Sequence, residues 1–87
     1  MQIVKVNERI KVRADFTPGG RLVPLLFKRD GQDAFRVKGV NATWEDREGQ
    51  ARQLYFSVRV SQSEDVYQLR YREKDRTWWI DAVLLEG

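Results

Sequence analysis

The chain has 87 residues, with 16 Lys or Arg against 13 Asp or Glu for a net charge of +3, and it contains neither cysteine nor histidine. That composition excludes disulfides, a thiolate nucleophile and cysteine-ligated metal, and it removes the commonest general base and metal ligand. With no signal-peptide pattern at its start and nothing near the roughly 20 apolar residues of a membrane helix, the chain reads as one domain, residues 1–87, suited to a reducing cytoplasm.

In chain order, Ile3 to Val6 form a short apolar run that Asn7 and Glu8 interrupt. From Arg9 to Phe16 the alternation is clean, with Ile10, Val12, Ala14 and Phe16 on one face and Arg9, Lys11, Arg13 and Asp15 on the other. Period-2 alternation predicts a half-buried strand. Either a bulge at Asn7 breaks one long strand, or there are two short ones. Thr17-Pro18-Gly19-Gly20 is a turn, because proline presets φ and the glycines accept positive φ.

Arg21 to Lys28 is apolar on both faces, with Val23, Leu25 and Phe27 opposing Leu22, Pro24 and Leu26. Such a strand is expected to be covered twice, by the N-terminal segment or by a second subunit, and Pro24 marks an edge or a bulge. Asp30-Gly31 is a hairpin signal. A two-residue turn would set Leu26 against Phe35. A five-residue loop would pair Phe27 with Phe35 and Leu25 with Val37, and it is preferred because it joins the better apolar faces. Beyond Lys38 the phase breaks. A bulge at Gly39 would turn Val40, Ala42 and Trp44 inward and bend the strand, as a curled sheet needs. Residues 45–53 are polar, contain Gly49 and are too short and too charged for a core helix, with at most one helical turn capped by Thr43.

Three alternating segments follow: Leu54–Val60, Val66–Arg72 and Thr77–Leu85. Four-residue hairpin loops between them place Val58 against Tyr67, Phe56 against Leu69 and Leu54 against Tyr71 on the inner face, with Tyr71 also facing Trp78. The same count puts Arg70 on the outer face between Tyr55 and Trp79, close enough to stack on a ring. In the last segment Asp81 assigns Trp79, Val83 and Leu85 to the wetter side, since an unpaired buried carboxylate is costly.

The expected fold is all-β: about six antiparallel strands in a meander, a strongly curled sheet or half-open small barrel. Acidic residues gather at its turns and basic residues lie within its strands. Strand propensity and the solvation of long Lys and Arg stems account for that pattern, and so does recruitment of an anion.

The run Pro24-x-x-Phe27, Gly31, Phe35-x-Val37, Trp44, Tyr55-Phe56-x-Val58-Arg59, Val66-Tyr67-x-Leu69, Trp78-x-Ile80 resembles an uncharacterised bacterial family of small domains of unknown function. That family is in turn similar to a C-terminal segment of Y-family polymerase-like proteins of translesion synthesis. The resemblance covers about Phe16 to Val83. It implies a shared fold and brings no catalytic residues with it.

Three functional classes are weighed. A protein-interaction or self-association module is favoured by Leu22, Leu26, Val83 and Leu85, apolar positions that one sheet face cannot all bury. The alternative is a single-stranded nucleic-acid or polymerase-accessory module, in which Tyr55, Arg70 and Trp79 flanked by Arg59, Arg72, Arg36 and Lys38 supply stacking rings and cations. Catalysis is the weakest class, because the carboxylate pairs Asp30 with Asp33, Glu45 with Asp46 and Glu64 with Asp65 sit in solvated turns. Asp30 and Asp33 are too few for a metal site, and no cofactor or membrane contact is expected.

Overall fold

The computed structural model describes residues 2–86. They form six antiparallel strands in chain order: β1 (Gln2–Phe16), β2 (Leu22–Lys28), β3 (Phe35–Glu48), β4 (Ala51–Val60), β5 (Val66–Arg72) and β6 (Thr77–Leu85). β1 returns to pair with β6, so the meander closes into a barrel. Closure removes most unpaired backbone edge, which matters for a sheet this small.

The meander registers follow from uninterrupted alternation and short hairpins. Leu54, Phe56 and Val58 lie opposite Tyr71, Leu69 and Tyr67, and Tyr71 lies opposite Trp78. These residues face a core of Ile10, Phe27, Phe56, Val58, Val60, Tyr67, Leu69, Ile80 and Val83. Phe27, Phe35 and Tyr67 pack as an aromatic triangle with ring centroids 5.2 Å apart. That triangle rests on the Phe27–Phe35 pairing expected of the longer β2–β3 loop. The accompanying Leu25–Val37 pair does not form.

Bulges decide which face each remaining residue takes. β1 is one strand whose register with β6 slips between Lys5 and Glu8, where Asn7 has a φ of 49°. Leu25 is an extra residue beside Pro24, so Leu22, Pro24 and Phe27 turn toward the core and Leu25 is left exposed. In β3 the register slips twice, after Val37 and again after Val40. The second slip corrects the expectation for Trp44, which lies on the outer face opposite Tyr55 and is exposed. Phe16 keeps its inward parity but stands beyond the barrel rim, 74% exposed. Residues 45–53 hold no helical turn: β3 and β4 pair as far as Glu48 and Ala51, and Gly49, with a φ of 64°, helps to make the turn.

β6 carries the change with most consequence. Asp81 is an extra residue between Ile80, opposite Leu69, and Ala82, opposite Gln68. Past it the parity inverts, so Val83 enters the core and Leu85 packs against it. The expected surplus of apolar surface is largely consumed in this way. Leu22 also packs on the core, and Leu26 is half-buried.

Candidate functional site: two outer faces of the barrel

Across β3, β4, β5, β6 and β1 the outer side chains form one row: Trp44, Tyr55, Arg70, Trp79 and Arg9. Trp44 stacks on Tyr55 with centroids 5.3 Å apart and planes 2° from parallel. The Arg70 guanidinium lies 5.2 Å from the Trp79 ring centroid, and that of Arg72 lies 5.6 Å away. The expected aromatic and guanidinium neighbours are therefore adjacent.

The charges of Arg70 and Arg72, however, are already satisfied. Arg70 Nε donates to Asp81 Oδ1 at 2.8 Å, Nη1 to Gln53 Oε1 at 3.1 Å and Nη2 to Asn7 Oδ1 at 3.2 Å. One side chain thus ties β5 to β4, β6 and β1, and its partners on β6 and β1 sit in or beside the two bulges. Arg72 is clamped on Asp75, whose carboxyl is held well below the usual range first by that hydrogen bond and then by the Thr77 hydroxyl. Trp79 Nε1 donates to Thr77 Oγ1 at 2.9 Å, so the ring is fixed at its polar edge as well. Arg59 crosses over Gly39, where a side chain would collide with the guanidinium, and donates from Nε to Asn41 Oδ1 at 2.7 Å. Burial pushes the Tyr55 phenol up.

The opposite outer face differs. On β1 and β2, Lys11 lies directly across from Lys28. One step along, Arg13 faces Leu26, which in turn faces Arg36 of β3. Arg9 and Lys38 extend this group at either end. Among the described residues none of Arg9, Lys11, Arg13, Lys28, Arg36 and Lys38 makes an ion pair, whereas Arg29, Arg47, Arg52, Arg70 and Arg72 all do. Two shallow depressions of about 440 and 240 Å³ share Lys11 and Lys28 in their walls. A third, of about 420 Å³, continues past Lys38 to Arg59, Ser61 and Ser63. The result is a cationic belt running round β1, β2, β3 and the end of β4.

Of the residues singled out from sequence, Arg36 and Lys38 belong to this belt and Arg59 stands at its end. Tyr55, Arg70, Arg72 and Trp79 lie on the other face. Arg9, Lys11 and Arg13 were legible as outward residues of β1, but Lys28 was not singled out, because the register that sets it across from Lys11 crosses the Leu25 bulge. No group of three or more acidic side chains among the described residues is arranged to hold a metal ion. Among the described residues no helix is long and apolar enough to cross a membrane. No family model, curated protein or solved structure matches this chain.

Proposed function

We propose that this domain is a non-catalytic binding module whose partner is single-stranded nucleic acid, held by its phosphates along the belt of Arg9, Lys11, Arg13, Lys28, Arg36 and Lys38. The observation that carries the reading is the Lys11–Lys28 pair. Like charges directly opposite one another on a sheet are destabilising, and here neither lysine makes an ion pair among the described residues. A phosphate between the two ammonium groups turns that repulsion into binding energy, with counterion release adding to it.

Shape favours a flexible strand over a duplex. The molecule measures 38 × 28 × 25 Å and the belt follows its convex side. DNA duplex has a persistence length of about 150 base pairs and meets such a surface only along a tangent. A single strand can wrap it. An accessory role beside a polymerase is consistent with the resemblance to a segment of translesion proteins.

Fluorescence anisotropy with labelled oligothymidylate at low and moderate salt tests the proposal. Contacts from about five cations give a log–log salt slope of roughly −3.5. Lys11→Glu and Lys28→Glu should each weaken binding and flatten the slope by about 0.7 or more, whereas Trp79→Ala should leave both unchanged. Binding that survives both charge reversals and disappears with Trp79→Ala would return the site to the aromatic face.

A further inference from the structure

β1 and β3 run in the same direction on either side of β2, because each pairs antiparallel with it. β2 is too short to cover either of them. It pairs with β1 only from Lys11 to Phe16 and with β3 only at Phe35 and Arg36. Two stretches therefore have a sheet neighbour on one side alone: residues 2–5 of β1, which pair with β6, and residues 42–48 of β3, which pair with β4. Each is a backbone edge able to template another strand. Since β2 covers the later half of β1 and the first residues of β3, the two free edges lie at opposite ends of the barrel, and one copy of the chain cannot join its own.

The side chains on the two edges are complementary. Ile3, Val4 and Trp44 are three of the five large apolar residues exposed among the described residues. On β1, Ile3 and Lys5 share the outer face, in register with Leu84 and Ala82 of β6. On β3, Trp44 and Asp46 share the outer face, opposite Tyr55 and Gln53. Lys5 is the one charged residue of its stretch, and it makes no ion pair among the described residues. On the other edge Glu45 is bound to Arg47 and Arg52, whereas Asp46 and Glu48 make no ion pair. The free charge is thus positive on the β1 edge and negative on the β3 edge, and charge of opposite sign across a contact sets partner and register.

We infer that copies of this chain associate end to end, the β1 edge of one adding as a strand to the β3 edge of the next. A copy stacked without turning over presents β1 parallel to β3. In that orientation, setting Ile3 beside Trp44 also sets Lys5 beside Asp46, because on both edges the apolar and the charged residue are two positions apart in the same order. Antiparallel pairing brings Lys5 to Asp46 only by placing Ile3 against Glu48. Val4, on the other face of the added strand, turns toward the cleft of about 290 Å³ that Leu22, Leu54 and Phe56 line. The contact joins two different surfaces at opposite ends of the molecule, so it propagates past a dimer. Neither edge uses the lysines of the cationic belt, and the association is independent of nucleic acid.

Sedimentation velocity over a concentration series at low salt, with no nucleic acid present, tests this. The weight-average mass should rise past that of a dimer, and amide hydrogen exchange should slow within residues 3–5 and 42–48 together as it does. Lys5→Glu and Asp46→Lys, both at exposed positions, should each weaken association by more than about tenfold, since one contact turns from attraction to repulsion. Mixing the two variants, or combining both changes in one chain, should restore it, which loss of fold in either variant would not allow. Lys28→Glu should leave association unchanged, so this outcome stands apart from that of the oligonucleotide titration. A chain that stays monomeric up to about 1 mM, a closed dimer that neither reversal weakens, or association that leaves either edge unprotected would each overturn the inference.

Discussion

Reversing one charge of the belt should move stability and binding in opposite directions, and Lys28→Glu is the variant that shows it. Directly opposed residues have Cβ atoms about 4.5–5.5 Å apart. Long side chains splay, so the Lys11 and Lys28 ammonium groups are taken about 8 Å apart in water, where repulsion amounts to roughly 0.5 kcal/mol. Substituting a carboxylate replaces that repulsion with an attraction of similar size, a swing of about 1 kcal/mol at low ionic strength. For a domain of 60–100 residues this is a rise in Tm of roughly 4–8 °C. At about 1 M salt the Debye length falls to about 3 Å and the gain should vanish. The assay is a pair of thermal melts at low and high salt, run beside the oligonucleotide titration. A Lys28→Glu protein that melts no higher than the parent at low salt would refute the argument that the belt is held at a cost to the fold. Unchanged oligonucleotide affinity would refute the argument about what the cost is for.

Other perturbations probe the remaining pieces. Arg70→Ala strands the half-buried Asp81 carboxylate and the buried Gln53 amide, and should cost about 1.5–3 kcal/mol in denaturant unfolding, while changing oligonucleotide affinity of the folded protein less than Lys28→Glu does. Phe27→Ala empties a site that is 1% exposed and ringed by Phe35 and Tyr67, and should cost about 3–5 kcal/mol in the same assay. Glu8 is held below its ordinary value of 4.5, chiefly by the Arg29 guanidinium that bonds both its oxygens. Its contribution is therefore full above 4.5 and is lost as the pH falls below that value. Glu8→Gln should accordingly be less stable than the parent at neutral pH, with the gap closing under acid.

Much of this architecture was readable because strand parity is a local property. Where hairpins are short and alternation is unbroken, counting loop residues fixes the register, and so the contacts among Leu54, Phe56, Val58, Tyr67, Leu69, Tyr71 and Trp78, together with the placement of Arg70 between Tyr55 and Trp79, follow from the chain alone. The bulge at Asn7 and the bend near Gly39 were marked by their residue types.

Only the tertiary structure decided the rest, for two physical reasons. A single extra residue inverts every later side chain in a strand; Pro24 marked the bulge at Leu25, but neither Asn41 nor Asp81 advertises itself as an extra residue. Their insertion is what turned Trp44 outward and carried Val83 into the core. The second reason is that charge neutralisation depends on distant partners. Arg70 meets Asn7 across 63 positions of sequence, a contact that exists because β1 closes on β6. The β1–β2 register sets Lys11 across from Lys28, and neither makes an ion pair, so which arginines are structural and which cations remain free was settled by the folded barrel and not by the order of its residues.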